Sequence, residues 1–147
     1  MPSVFKYNGN EIIDSSGNIT ASSVKNALNA SGDAPVYACR AWVSFDGTKD
    51  TSGASSTANT NRLIRASGNV ASVLRNGTGN YTVNFTTEMP DINFNTVGST
   101  IGTQHSSYAT FVCGQNTANT ISTVSVQVRN HSGAQYDHDV VNVAIFR

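Results

Sequence analysis

Charged side chains make up only 12% of the 147 residues, and nine Lys and Arg are balanced by nine Asp and Glu. Soluble domains usually carry about twice that share of charge. Without a cationic excess or a basic run, the chain lacks the means to neutralise phosphates and release counterions, which argues against binding bare nucleic acid. Leucine is nearly missing: Leu28, Leu63 and Leu74 stand against 15 Val, 8 Ile and 16 Thr. β-branched side chains lose rotamer freedom in helices and suit a pleated surface, so a helical bundle is excluded. Apolar runs are only a few residues long, far short of the roughly 20 that a membrane-spanning helix needs. The charged and apolar regions of a signal peptide are missing after Met1, so the expectation is a soluble protein made without export by that route. Two cysteines, Cys39 and Cys113, can pair only once, and both fall among apolar neighbours; two buried free thiols are expected.

What is abundant is small and polar. Asn, Ser, Thr and Gly together supply 63 of the 147 residues. An uncharged, hydroxyl- and amide-coated surface with zero net charge favours association, and suits a chain that meets sister subunits or glycans. The length fits one ordinary domain with a short appendage.

The chain divides near Pro35. Residues 1–35 form a short attachment segment and linker, in which Val4-Phe5-Lys6-Tyr7 and Glu11-Ile12-Ile13 flank Asn8-Gly9, a strong hairpin signal because both turn residues accept positive φ. A second turn is expected at Ser15-Ser16-Gly17-Asn18, a helical turn or two across Ser23 to Asn29, and a linker at Ser31-Gly32-Asp33-Ala34-Pro35. So small a piece cannot bury a core alone. Its apolar residues Val4, Phe5, Tyr7, Ile12 and Ile13 are therefore the candidate attachment or oligomer contacts.

Residues 36–147 predict strand after strand. Ala41, Val43 and Phe45 alternate with Arg40, Trp42 and Ser44. Tyr81, Val83 and Phe85 alternate with Thr82, Asn84 and Thr86. Further strands are expected at Leu63 to Ala66, at Val70 to Leu74, around Ile92, Phe94 and Val97, and from Tyr108 to Cys113. The last two are the most regular, with inward Val124, Val126, Val128 and Val141, Val143, Ile145. Asp46 to Asn61 is expected to be a long mobile or partner-contacting loop. The fold expected is all-β: an antiparallel, jelly-roll-like sandwich of about eight strands.

Chemistry is sparse. Phosphate-loop, dinucleotide, nucleophile-elbow and paired-cysteine motifs are missing. No catalytic residue, metal or cofactor is assigned. Three histidines, His105, His131 and His138, are the candidate bases or ligands near neutral pH. The densest constellation is His131 with Tyr136-Asp137-His138-Asp139. Its plainest reading is a solvated turn with polar tips. Two histidines and two carboxylates also have the donor types for a divalent cation, and Asp137 and Asp139 can accept hydrogen bonds from sugar hydroxyls; spacing does not separate these options. Trp42, Tyr81, Tyr108 and Tyr136 are candidates to stack on sugar rings. A core position is expected for Trp42, whereas Tyr136 lies in a loop and suits contact.

One long stretch has a familiar look. Ala38-Cys39-Arg40-Ala41-Trp42-Val43-Ser44-Phe45-Asp46-Gly47-Thr48, then Ile64-Arg65-Ala66-Ser67-Gly68-Asn69-Val70 through Asn76-Gly77-Thr78-Gly79-Asn80-Tyr81-Thr82-Val83-Asn84-Phe85-Thr86-Thr87 and Met89-Pro90-Asp91, resembles the pattern RAWVNFNGTG…IRASGNVSSITDNGTGDYTVNFTTAMPD. That pattern recurs in tail-fibre and related virion proteins of tailed bacteriophages, notably those of marine bacteria and cyanobacteria. The match departs from it by an insertion between Thr48 and Arg62. The resemblance implies a structural virion appendage, commonly homotrimeric, whose β domain meets the host surface; it leaves tail or head open, and the tail is the expected location. Its implied partners are copies of itself, other phage tail or capsid proteins and a host-surface glycan; neither nucleic acid nor a membrane is among them. A capsid decoration or head fibre without a receptor role is the alternative. A polysaccharide-cleaving spike is disfavoured: it needs two carboxylates about 5–10 Å apart, and the chain has only Glu11, Glu88 and seven Asp.

Overall fold

The computed structural model describes residues 4–7, 9–20, 23, 39–101, 110–113 and 118–147. All regular structure among them longer than a turn is antiparallel β. The chain falls into two compact units, Met1–Ala38 and Cys39–Arg147. In the first, β1 (Phe5–Tyr7) and β2 (Asn10–Ile13) form the expected hairpin, with Tyr7 opposite Asn10 and Gly9 at a φ of 79°. Val4, Phe5 and Tyr7 are exposed, whereas Ile12 and Ile13 are half-buried. The helical turn proposed beyond Ser23 and the linker to Pro35 lie outside the described residues, as do His105 and Tyr108.

Among its described residues the second unit holds eight strands: β3 (Cys39–Asp50), β4 (Arg62–Gly68), β5 (Val70–Gly77), β6 (Asn80–Phe85), β7 (Asn95–Ile101), β8 (Thr110–Cys113), β9 (Thr123–Arg129) and β10 (Val140–Phe146). They form two four-stranded sheets, ordered β4-β3-β10-β7 and β5-β6-β9-β8. Alternation explains the packing. Ala41, Val43 and Phe45 of β3 and Val141, Val143 and Ile145 of β10 share one buried core with Val73, Tyr81, Val83, Phe85, Val124, Val126 and Val128 of the other sheet. Phe45 meets Tyr81 edge-on across the sandwich, with ring centroids 5.0 Å apart.

An eight-stranded jelly roll nests its pairs, first with last, second with seventh and inward; here β3–β10 follows that scheme, but consecutive strands pair within one sheet as β3–β4, β5–β6 and β8–β9, and β7 pairs with β10. The architecture is therefore an antiparallel sandwich, without the finer jelly-roll label. The chain crosses from one sheet to the other at Asn69, the single residue between β4 and β5, at a φ of 57°. Its side-chain amide donates to the carbonyls of Arg40 and Thr87, and its side-chain oxygen accepts the Thr87 N–H at 2.7 Å. Asn tolerates the left-handed region better than most residues, which fits it to this crossing.

Three expectations are overturned. Cys39 is exposed rather than buried, because it begins β3 opposite Phe146, where the register slips beyond the inward row. Trp42 is 43% exposed rather than core: it stands on the outer side of β3, opposite in parity to Val43, and its indole lies over Gly68 of β4. The segment 46–61 is neither featureless nor loose. β3 runs on to Asp50, and Asp50-Thr51-Ser52-Gly53-Ala54 closes a tight turn in which the Asp50 carboxylate accepts the Ser52 N–H and hydroxyl. Both bonds recur at Asn130–Ala134 and the Ser N–H bond recurs at Asp14–Asn18, each turn with a Ser-Gly pair and a glycine φ between 81° and 85°. The strand expected around Ile92 and Phe94 begins later, at Asn95, since Phe94 turns inward to pack edge-on against Phe85 at 5.8 Å.

Acid should loosen this unit through its carboxylates. Burial alone would raise the Asp46 carboxyl, but the Thr48 hydroxyl and N–H and the Arg65 guanidinium outweigh it and hold the group below its ordinary 3.8. A folded-state value below the unfolded one contributes stability at neutral pH that is lost as pH falls through the folded value. Urea midpoints should therefore hold down to a pH of about 4 and then drop, and Asp46→Asn should flatten that drop relative to the parent. An unchanged acid limb in Asp46→Asn would remove Asp46 from the account.

Candidate functional site

The connections at one end of the sandwich are organised around two arginines. Arg75 is the next inward position of β5 after Val73, so strand alternation carries its guanidinium inside. Asp137 arrives from the β9–β10 connection. Its Oδ2 accepts Arg75 Nε at 3.1 Å and Nη2 at 2.9 Å, and its Oδ1 accepts the Gly79 N–H at 2.8 Å and the Tyr81 hydroxyl at 2.5 Å. The remaining Arg75 donors go to the Thr57 carbonyl and Asn59 Oδ1, both at 2.7 Å, and to Thr78 Oγ1 at 3.1 Å. All five guanidinium N–H groups and both carboxylate oxygens are thus used internally, as a buried ion pair requires. Burial, the bond to Asp137 and that carboxylate's charge push the Tyr81 hydroxyl far above its ordinary 10, so it stays a donor.

Two glycines make the network possible. Gly79 has a φ of 64°, and a Cβ there would run into the Val128 carbonyl and the Tyr136 backbone. At Gly47, a Cβ would strike the Tyr81 hydroxyl and the His138 carbonyl, which accepts the Gly47 N–H at 2.9 Å.

The second arginine, Arg62, is 1% exposed and has no carboxylate on its guanidinium. It donates instead to the carbonyls of Ser56, Ala58 and Thr60, at 2.8, 2.6 and 3.1 Å, and to Thr60 Oγ1 at 2.9 Å. Its strand partner in register is Asp50. Arg62 and Arg75 together hold the segment from Ser56 to Thr60 against the strands.

This architecture separates the residues singled out in the sequence. Asp137 and His138, expected at solvated tips, are drawn in: Asp137 by Arg75 and Tyr81, His138 by packing that leaves its side chain 3% exposed with neither ring nitrogen hydrogen-bonded. Tyr136 stays 46% exposed, its ring edge-on to His138 at 5.1 Å. His131 sits exposed at the tip of the Asn130–Ala134 turn. Asp139 is half-buried at the start of β10. Among the described residues no group of three or more His, Cys, Asp and Glu is placed to hold a metal ion.

Between these loops lies a recess of about 520 Å³. Thr48, Ser55, Ser56, Thr57, Thr78 and Tyr136 line it together with Arg75 and Asp137. Of the sequence candidates, Tyr136 and Asp137 line this recess. No protein-family model, curated protein or solved structure matches the chain.

A second surface lies on the outer face of the β4-β3-β10-β7 sheet. Register aligns Gly68, Trp42, Ala144 and Val97 in one row across all four strands, and Ala66, Ser44, Asn142 and Ser99 in the next. Neither row contains a charge. A depression of about 380 Å³ runs between Trp42, Val97 and Ala144.

The ion pair predicts a sharp asymmetry. Asp137→Asn should lower unfolding free energy by about 3–5 kcal/mol, because it leaves Arg75 charged and under-partnered in the interior. Adding Arg75→Gln should cost less than the sum of the two single changes, by roughly 0.5–3 kcal/mol. Urea denaturation of the four proteins measures both; strict additivity would refute the coupling.

Proposed function

We propose that the chain is a structural component of a tailed-phage particle: a homotrimeric, tail-fibre-like appendage whose β-sandwich presents its loop end to the host cell surface. The observation that carries the reading is the uncharged row Gly68–Trp42–Ala144–Val97. An antiparallel sheet facing water normally turns polar residues outward. Here the exposed face offers an indole and a valine half-open to solvent, flanked by Ser and Asn. Such a face is suited to pack against uncharged surface on neighbouring copies around a three-fold axis, where the two sides of each contact differ, and depletion of charge with aromatic enrichment is the pattern of an interface centre. The resemblance of residues 38–91 to fibre modules supports the same reading, as does a surface rich in hydroxyls and amides.

In this reading the β1–β2 hairpin is the attachment piece. Val4, Phe5, Tyr7 and Ile19 are exposed on a unit too small to bury a core, which suits docking on another particle protein. The same feature serves a capsid decoration without a receptor role, so location decides between the two readings. Immunogold labelling of intact particles should place this protein on the tail; label confined to the head would favour the decoration reading.

Self-assembly has its own test. Sedimentation velocity of the parent chain should give a trimer, and Trp42→Glu, which places a charge in the centre of the row, should give monomer with near-parent thermal stability. A monomeric parent would refute assembly through this face.

A further inference from the structure

The recess at the loop end has a chemistry that narrows what it accepts. Two charged residues line it, yet neither has capacity to spare. Every N–H of the Arg75 guanidinium is bound to Asp137, Thr57, Asn59 or Thr78, and both Asp137 oxygens hold two donors each. The pair neutralises itself. An anionic ligand would find no free guanidinium donor, and a cation no free carboxylate lone pair.

What faces the space is different. Ser55 and Thr57 have hydroxyls without a hydrogen-bond partner among the described residues. Thr78 Oγ1 accepts from Arg75 and still carries a proton to donate. Thr48 donates to Asp46 and keeps acceptor capacity. Beside them stands Tyr136, its ring held edge-on by the buried His138. A volume of about 520 Å³ falls within the range of small-molecule sites. A fixed aromatic face next to hydroxyls that both donate and accept, without net charge, complements a ring that is apolar on one face and hydroxylated around its edge.

We propose that this recess is a binding subsite for a neutral saccharide: one or two pyranose units without carboxylate, phosphate or sulfate, the Tyr136 ring against the C–H face and Thr48, Ser55, Thr57 and Thr78 exchanging hydrogen bonds with sugar hydroxyls. The inference rests on the reading of the loop end as the host-contacting surface and gives that surface a ligand class. Because Arg62 and Arg75 fix the segment that carries Ser56 and Thr57, the subsite exists before the sugar arrives, which reduces the ordering cost of binding.

The test is amide NMR of the full ¹⁵N-labelled chain titrated with neutral oligosaccharides (maltoheptaose, mannotetraose, N-acetylchitotetraose, galactotetraose) and with acidic trigalacturonate and oligosialic acid. The expected result is that at least one neutral oligosaccharide, and neither acidic one, moves the signals of residues 48, 55–57, 78 and 136. Tyr136→Ala should weaken that binding about tenfold or more, Thr57→Val should weaken it severalfold, and Tyr136→Phe, which keeps the ring, should retain it. Preference for an acidic sugar, neutral binding that survives Tyr136→Ala in a folded variant, or no response to any neutral sugar overturns the subsite. The trimer and tail measurements are independent of it, so a failed titration with a tail-located trimer rejects the saccharide and leaves the appendage standing.

Discussion

The loop end of this sandwich depends on one buried ion pair. Arg75 comes from β5, Asp137 from the connection into β10, Tyr81 from β6, and Thr57 and Asn59 from the connection out of β3. Three stretches distant in sequence thus converge on two side chains. A buried pair of this kind adds little net stability compared with apolar residues of the same shape, since desolvation offsets much of the attraction. Its effect is geometric. Each of the five donors of Arg75 has one acceptor in reach, so the loops have one arrangement that satisfies them and many that leave a charge unpaired. With 12% charged residues, the chain uses the few it has at positions of this kind. Arg62 does the same for the neighbouring carbonyls without any carboxylate contact on its guanidinium.

The two faces of the β4-β3-β10-β7 sheet show how one alternating pattern serves two purposes. In β10, Val141, Val143 and Ile145 enter the core while Asn142 and Ala144 face outward. In β3, the partners of that outward row are Ser44 and Trp42. The inward row is β-branched and aromatic, and dispersion and desolvation hold it. The outward row is neither a solvated polar face nor a second core. Small residues, Gly68 and Ala144, flank Trp42 on both sides; its ring lies over Gly68 and borders the depression toward Ala144 and Val97, which a partner can fill.

Much of the sandwich is legible in the residue order, because period-two alternation is a local property. Tyr81-Val83-Phe85, Val124-Val126-Val128 and Val141-Val143-Ile145 announce their faces directly. Asn8-Gly9 likewise announces its hairpin. Sheet order, by contrast, is decided by contacts far apart in sequence, so a jelly-roll pairing and the observed one share the same strand pattern. Trp42 is instructive. Its parity, with Ser44 and against Val43, places it outside, yet its hydrophobicity argues for the core; in a continuous strand parity wins, since one residue cannot turn inward without moving its neighbours. The site is less legible. Arg75, between Leu74 and Asn76, looks like the end of a strand, and only the distant arrival of Asp137 makes it a buried anchor. The thrice-repeated Asp/Asn-x-Ser-Gly turn was available as a local signal and would have shown that 46–61 contains a tight turn.

Rigidity and contact are linked at this end of the molecule. Exposed Ser-, Thr- and Asn-rich loops usually lose conformational freedom on binding, which costs affinity. Here the carbonyls that would otherwise leave the segment free are bound by guanidinium groups in the interior, while Ser55 and Thr57 keep their hydroxyls toward solvent. His138 acts in the same way on Tyr136: a buried ring whose two nitrogens make no hydrogen bond serves as a wall for an exposed one. The polar interior of the loop end therefore functions as a scaffold for a hydroxylated surface. A surface that meets its ligand already ordered can be weak per site and still effective when several copies act together, because a tethered second site binds at high effective concentration. The proposed self-association through the outer sheet face and the proposed neutral subsite at the loop end would thus be complementary, the first multiplying what the second supplies.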